Sequence, residues 1–182
     1  MGTDVGDREI VKVNLGCGAD KRDGWIGMDN KRHHKPDVLH DLRDIPLPWA
    51  EGSVDLIFAE QALSQIEQWQ GQRLLCDCLR ILRPGGWIRI NEADFEWVMN
   101  YTYNMNPGPE MGDMTPAERV QMYLNRYGWA FIYDWPALYK AVARSGFVNI
   151  RRPGIRLSEI PDFIGMEKRS GGLVLEAQKP DA

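Results

Sequence analysis

Cysteine is scarce in this chain, and its three cysteines do not provide a disulfide framework. Cys76 and Cys78 lie one residue apart in a segment with helical periodicity, where their side chains diverge, and Cys17 is the third. Small proteins that depend on disulfides have several pairs at suitable spacings. The stability of this chain is therefore expected to come from a hydrophobic core.

Long apolar segments and an excess of positive charge are also absent. No apolar run approaches the roughly 20 residues that span a bilayer, and the N-terminus carries acids where a signal peptide carries basic residues. The 22 lysines and arginines against 26 acids give a net charge of −4, which provides no overall attraction for nucleic acid. We therefore expect a cytoplasmic protein that binds a small molecule and has no membrane or nucleic-acid partner.

The composition that remains is that of one globular domain. The chain has 182 residues, of which 43% are hydrophobic and 26% are charged, and both its length and its composition are ordinary for a single folded unit. It contains no internal repeat, no low-complexity tract and no Ser/Gly linker. We predict a single domain over residues 1–182.

Short apolar runs alternate with helical patterns along the chain. Apolar residues at three-to-four spacing predict a helix over 70–83 that ends at Pro84, and Asp134 is predicted to cap a second helix that stops at Gly146. Strands that are apolar throughout are typical of a sheet covered on both faces, so the pattern indicates an α/β fold. The predicted strands are 10–15, 25–29, 37–40, 54–59, 87–91, 147–151 and 172–177.

One segment departs from this alternation because it is rich in aromatic residues. Residues 95–139 hold eleven of the eighteen aromatic residues, including all six tyrosines, and five of the eight methionines. We interpret residues 95–133 as a cap inserted between the fifth strand and the next helix. Its aromatic side chains either form a small core of their own, or supply a flat wall or a cation–π site for a ligand.

A glycine-rich turn follows the first strand, at the edge of the sheet where α/β proteins bind ligands. Gly16 and Gly18 allow the backbone to turn sharply and to approach a ligand closely. A dinucleotide fingerprint needs a third glycine where this chain has Lys21, and no phosphate loop occurs elsewhere in the sequence. Asp29, at the end of the second strand, is able to accept both hydroxyls of a ribose. A nicotinamide oxidoreductase is therefore disfavoured, although the fold alone does not exclude one.

Six segments occur in a characteristic order: Asn14-Leu15-Gly16-Cys17-Gly18, Asp29, Asp41-Leu42, Pro46-Leu47-Pro48-Trp49, Gly52-Ser53-Val54-Asp55-Leu56-Ile57 and Leu79-Arg80-Ile81-Leu82-Arg83-Pro84-Gly85-Gly86. Together they resemble the class I S-adenosylmethionine-dependent methyltransferases, especially the small members of the type 11 group. The resemblance is strong over residues 11–91 and extends nearly to the end of the chain. It implies a Rossmann-like doubly wound sheet, mostly parallel with an antiparallel last strand, and S-adenosylmethionine as the cofactor.

The resemblance also implies roles for individual residues. The glycine turn would pass under the amino-acid part of the cofactor, with Asn14 near its amino group, while Asp29 would hold the ribose. Asp41 would accept a hydrogen bond from the adenine amine, and Leu42 would complete the adenine pocket. The implied cofactor-binding residues are Asn14, Gly16, Cys17, Gly18, Asp29, Asp41, Leu42 and Gln61.

The expected reaction is methyl transfer to a small-molecule acceptor by in-line displacement. Such a reaction depends mainly on alignment and exclusion of water, and a base is needed only when the acceptor must lose a proton. No catalytic residue is assigned from the sequence. The candidates for the substrate side are Glu60, Glu92, Asp94, Trp129 and Tyr133.

The sequence departs from the family pattern at three places. Asn14 replaces an acid that is common there, the segment Leu63–Ile66 lacks a frequent Glu-His pair, and the ten residues between Gly18 and Asp29 allow at most a short helix. A non-catalytic domain that binds the cofactor or a protein partner therefore remains an alternative. His33 and His34 lack a third ligand at suitable spacing, so no metal site is predicted.

Overall fold

The computed structural model describes residues 8–104, 112–169 and 172–181, which form a seven-stranded sheet flanked by four α-helices. The helices are α1 (Gln68–Ile81), α2 (Phe95–Asn104), α3 (Pro116–Tyr127) and α4 (Trp135–Arg144). The strands are β1 (Lys12–Leu15), β2 (Ile26–Asp29), β3 (Val38–Leu39), β4 (Val54–Glu60), β5 (Leu82–Glu92), β6 (Val148–Arg151) and β7 (Leu173–Gln178).

The sheet has the order β3-β2-β1-β4-β5-β7-β6. β1 to β5 pair in parallel, whereas β7 runs antiparallel to both of its neighbours, β5 and β6. The predicted mostly parallel sheet with an antiparallel last strand is confirmed. The strand order reverses between β1 and β4, so the crevice at the carboxyl ends of these two strands is where a ligand is expected.

Helix and strand boundaries follow the local sequence with one clear exception. Asp134 caps α4, as predicted, because its side chain accepts a hydrogen bond of 2.8 Å from the Ala137 amide. The exception is β5, which starts directly after α1 at Leu82 and includes Pro84. Leu82 pairs with Val54 before the register shifts, so the Pro-Gly-Gly segment forms an irregularity within the strand rather than a break between two elements.

The two faces of the sheet are covered in different ways. Side chains such as Ile57 and Ala59 face α1 and α4 in the main core, whereas Leu56 and Phe58 point to the opposite face. There, an irregular segment of residues 152–169, which we call the covering segment, packs against the sheet and buries Phe163. Residues 16–25, all of which the structure describes, contain no helix, in agreement with the shortness of the first crossover.

A buried ion-pair cluster attaches the covering segment to the sheet. Arg89 of β5 is completely buried and pairs with Glu167 of the covering segment and with Glu176 of β7. Its guanidinium also donates to the carbonyl oxygens of Leu157, at 3.0 Å, and Gly154, at 3.3 Å. A buried charge is tolerated only when its hydrogen bonds are satisfied, and these partners satisfy it.

The segment predicted to be a cap contains α2 and α3, which pack against each other around a second small core. Five aromatic rings form a continuous row across this pair: Trp97, Tyr101, Tyr123, Tyr127 and Trp129. Within the described residues, every helix is too short or too polar to cross a membrane.

Candidate active site

The turn after β1 brings the backbone close to the segment that follows β4. Gly16 and Gly18 have φ values of +64° and +55°, a region that side chains disfavour. A Cβ atom at Gly16 would lie 3.1 Å from the Cβ of Ala62, whereas a Cβ at Gly18 would meet nothing within 4 Å. The turn therefore forms a cradle with one tightly packed side and one open side.

Asp29 is fixed at the end of β2 by several donors. One carboxylate oxygen accepts a hydrogen bond of 2.9 Å from the Gly18 amide, and the other accepts one of 2.7 Å from the Lys31 amide and lies 3.2 Å from Nδ1 of His34. A carboxylate has about four lone-pair sites, so acceptor capacity remains. The side chain is thus oriented in advance while still able to bind hydroxyl groups.

Asp41 lies nearby and is held by Arg43 and Asn30. The Arg43 guanidinium donates to both carboxylate oxygens, at 2.8 Å and 2.6 Å, its amide donates at 2.9 Å, and the Asn30 side chain donates at 2.9 Å. These hydrogen bonds, led by those of the Arg43 side chain, hold the pKa of Asp41 well below its usual range. The Asp41 carboxylate therefore stays ionised, and protein donors occupy all four of its hydrogen-bond acceptor positions.

A cavity of about 360 Å³ unites these elements at the carboxyl ends of β1, β2 and β4. Its lining includes six of the eight residues predicted to bind the cofactor: Gly16, Gly18, Asp29, Asp41, Leu42 and Gln61. Asn14 is instead buried in the middle of the sheet within β1. The Cys17 thiol packs against Gly27, and burial raises its pKa to about 11.

A second cavity of about 420 Å³ lies beside the first, between the sheet and the cap helices. Asp94 and Trp129, two of the predicted substrate-side residues, line it together with Trp97 and Tyr123. Three residues line both cavities: Gln61, Tyr127 and Arg169. The two cavities therefore adjoin at one junction.

Gln61 occupies that junction in an unusual backbone conformation. Its φ of +53° lies in the left-handed region, which costs a residue other than glycine on the order of 1–3 kcal/mol. The Gln61 amide donates a hydrogen bond of 2.7 Å to the Asn91 carbonyl oxygen at the end of β5, which helps to hold this conformation. Strain that the surrounding structure maintains is typical of functional sites.

Two residues predicted for the substrate side lie elsewhere. Glu92 and Tyr133 are fully buried and line neither cavity. Alternation along β5 directs Glu92 away from Asn91, and its carboxylate accepts hydrogen bonds of 3.0 Å from the amides of Leu63 and Ser64 and a further one from the Ser64 hydroxyl. Burial raises the pKa of Glu92 to about 7. Glu92 therefore supports the turn beside the first cavity and does not face a substrate.

Glu60, the remaining substrate-side candidate, lines the first cavity and connects it to the covering segment. Its carboxylate accepts hydrogen bonds from the Asn91 side chain at 3.0 Å and from the amides of Lys168 and Arg169 at 3.3 Å and 3.2 Å. These contacts place Arg169 at the junction of the two cavities.

Several residues at the site were not predicted from the sequence. His34, expected in a solvated loop, lines the first cavity, and its position five residues after Asp29 is the sequence signal that connects the two. Arg169 carries no local signal, because the fold brings it to the site from far along the chain. Among the described residues, no three histidine, cysteine or acidic side chains are grouped so as to hold a metal ion.

Comparisons with known proteins agree with this architecture. Residues 13–90 match the family model of a methyltransferase domain. A methyltransferase structure from Methanosarcina mazei shares 15% identity with a TM-score of 0.60, over 96% of this chain and 95% of that one. Another, from Mesorhizobium loti, shares 20% identity with a TM-score of 0.58, over 93% and 91%. Both are described as dependent on S-adenosylmethionine.

A longer solved structure shares the same fold. A possible exported protein from Bordetella parapertussis has 12% identity and a TM-score of 0.57, and the match covers 94% of this chain but only 63% of that one. A search of curated proteins gave no match. The domain match over residues 13–90 and the fold shared with these structures support a class I S-adenosylmethionine-dependent methyltransferase. The same findings support S-adenosylmethionine as the cofactor rather than a nicotinamide dinucleotide.

Proposed function

We propose that the protein transfers a methyl group from S-adenosylmethionine to a small-molecule acceptor bound in the second cavity. The observation that carries the proposal is the junction at Gln61, Tyr127 and Arg169, which line both cavities. A cofactor in the first cavity and an acceptor in the second would meet there. In-line displacement requires such an arrangement, with the two reacting atoms aligned and shielded from water.

The residues of the first cavity fit the chemical groups of the cofactor. The cradle at Gly16 and Gly18 has room for the amino-acid part, and Asp29 has acceptor capacity left for ribose hydroxyls. Asp41 fits the adenine amine with one adjustment. Because it already accepts four hydrogen bonds, the amine would take the place of the Asn30 side chain.

The protein's own part in the reaction is mainly positional. When bound, S-adenosylmethionine supplies an activated methyl carbon, whose bond to sulfur breaks as the acceptor's lone pair forms the new bond. Aromatic side chains of the second cavity orient the acceptor and exclude water. Asp94 is the predicted substrate-side carboxylate that lines this cavity, so it is the proposed recipient of any proton that the acceptor releases.

Methyl transfer is tested with S-adenosylmethionine labelled at the methyl carbon and a panel of small molecules. Trp97→Ala removes a half-exposed wall of the second cavity, and we expect it to raise the KM for an acceptor about tenfold while binding of S-adenosylhomocysteine stays within twofold. Trp69→Ala is the matched control, since Trp69 is exposed on α1 and lines neither cavity.

Two results would contradict the proposal. Equal effects of Trp97→Ala and Trp69→Ala on the acceptor KM would remove the second cavity from the reaction. Tight binding of S-adenosylhomocysteine without labelled product from any acceptor would favour the alternative, a non-catalytic domain that binds the cofactor.

A further inference from the structure

The charges that line the second cavity are not balanced. Asp94 accepts a hydrogen bond of 2.9 Å from the Glu96 amide and lies 3.6 Å from the Arg152 guanidinium, while Lys168 forms an ion pair of 2.6 Å with Asp20. Arg169 is exposed and forms no ion pair with any residue that the structure describes. The cavity therefore offers one uncompensated cation to a ligand.

The walls of the cavity are flat and aromatic. Tyr127 and Trp129 are stacked with ring centroids 4.8 Å apart and an interplanar angle of 20°, and Trp97 and Tyr123 complete the lining. The Arg169 guanidinium lies 5.9 Å from the centroid of the Tyr127 ring, at the edge of these walls. Aromatic surfaces of this kind bind planar rings by offset or edge-to-face contacts.

Trp129, which lines the cavity, has a buried hydrogen-bond donor without a partner among the described residues. This donor is the indole N–H. An unsatisfied buried donor is costly, and an acceptor atom of a ligand would remove the cost once the indole turns its N–H toward the cavity. The donor and the cation of Arg169 both favour a ligand that carries oxygen acceptors.

We propose that the acceptor is a planar aromatic acid, whose ring packs against Tyr127 and Trp129 and whose carboxylate pairs with Arg169. This proposal rests on the proposed function, because it describes the occupant of the same cavity. An aromatic amine would also suit the walls, but its positive charge would lie near the unpaired guanidinium, while the one acidic side chain of the lining is already close to Arg152.

The test compares ligands that share a ring and carry an anionic, a neutral or a cationic group at the same position. The protein saturated with S-adenosylhomocysteine is titrated in a calorimeter with 4-hydroxybenzoate, 4-hydroxybenzyl alcohol and 4-hydroxybenzylamine, and then with indole-3-acetate, indole-3-ethanol and tryptamine. We expect the acid of at least one set to bind about tenfold more tightly than its alcohol, and the amine to bind most weakly. Preference for an amine, or no binding by either acid, would overturn the proposal.

Substitutions assign the preference to particular groups. Arg169→Gln is expected to reduce the advantage of acid over alcohol to less than about twofold, whereas Arg73→Gln, at an exposed position on α1, should leave it unchanged. Trp129→Phe keeps an aromatic wall and removes the N–H donor, so it should weaken binding of acid and alcohol by a similar factor.

The design separates this proposal from the proposed function. A tenfold loss of S-adenosylhomocysteine affinity in Arg169→Gln, with the acid preference retained, would assign Arg169 to the cofactor and overturn the inference about the acceptor. Failure of the unmodified protein to bind S-adenosylhomocysteine would contradict the cofactor site instead. The same ligand titrations on the free protein would then still measure the charge preference of the second cavity.

Discussion

Asp29 is the residue on which cofactor binding is expected to depend most. Its carboxylate is oriented by the Gly18 and Lys31 amides, and a bound ribose would add charge-assisted hydrogen bonds of about 1.5–3 kcal/mol each. We predict that Asp29→Ala weakens binding of S-adenosylhomocysteine by well over tenfold in calorimetric titration. Asp23→Ala, at an exposed position in the turn before β2, should leave the affinity unchanged. Unchanged affinity in Asp29→Ala would refute the assignment to the ribose.

Local sequence predicts the position of some residues of the candidate site but not of others. Gly16, Gly18 and Asp29 line the first cavity, as their positions in a turn or at a strand end indicate, and their roles in cofactor binding stay predictions. Glu92 and Tyr133 were expected at the substrate side because a carboxylate and a phenol can take part in catalysis, but both are buried away from the cavities. The direction of a side chain depends on strand pleating and packing, which the sequence does not reveal.

At the scale of secondary-structure elements, periodic patterns predicted well and irregular segments did not. The helix expected over 70–83 is α1 at Gln68–Ile81, since its apolar spacing is a local signal. The early start of β5 depends on the pairing of Leu82 with Val54, which is a contact between distant segments. The covering segment has no periodicity at all, so its position on the sheet could not be predicted.

The covering segment is held to the sheet by Arg89, and this contact is expected to contribute strongly to stability. Arg89→Met would leave the Glu167 carboxylate buried without its ion-pair partner, and Glu176 would keep only Arg151 and Ser158. Breaking a buried ion pair from one side typically costs about 3–5 kcal/mol. We predict a loss of that size in the free energy of unfolding, measured by urea denaturation.

A matched control shows whether the loss of stability depends on the buried position of the arginine. Arg73→Met makes the same substitution at an exposed position of α1 and should change the free energy of unfolding by less than about 0.5 kcal/mol. If Arg89→Met were as stable as Arg73→Met, the buried cluster would not be what attaches the covering segment.

At the scale of the whole molecule, the order of motifs was enough to predict the class of fold. The glycine turn, the acid at the end of β2 and the segment at the start of β5 follow along the chain in the order that the resemblance implies, and the antiparallel β7 agrees with it. The relation between the two cavities was not predictable, because it depends on how α2 and α3 pack and on where Arg169 lies.

The stability of the whole molecule is expected to depend on pH through Glu92. Burial raises its pKa from 4.5 to about 7, so the native state keeps a proton that the unfolded chain releases. Between these two values a rise in pH therefore favours unfolding, with a slope of up to about 1.4 kcal/mol per pH unit from this group. We predict that Glu92→Gln, which cannot ionise, reduces this slope in urea denaturation measured from pH 5 to pH 8.

The same experiment has a clear negative outcome. Glu92→Gln also alters the hydrogen bonds to Leu63 and Ser64, so the slope rather than the absolute stability is diagnostic. Equal slopes in Glu92→Gln and the unmodified protein would show that another group carries the pH dependence.

The covering segment serves two purposes with one stretch of chain. Its middle shields Phe58 from water, and its end donates amides to Glu60 beside the junction of the cavities. A single proteolytic cut inside it would therefore expose the core and open the site together. Because one backbone segment both covers the core and borders the junction, a displacement there would disturb the core and the site at the same time.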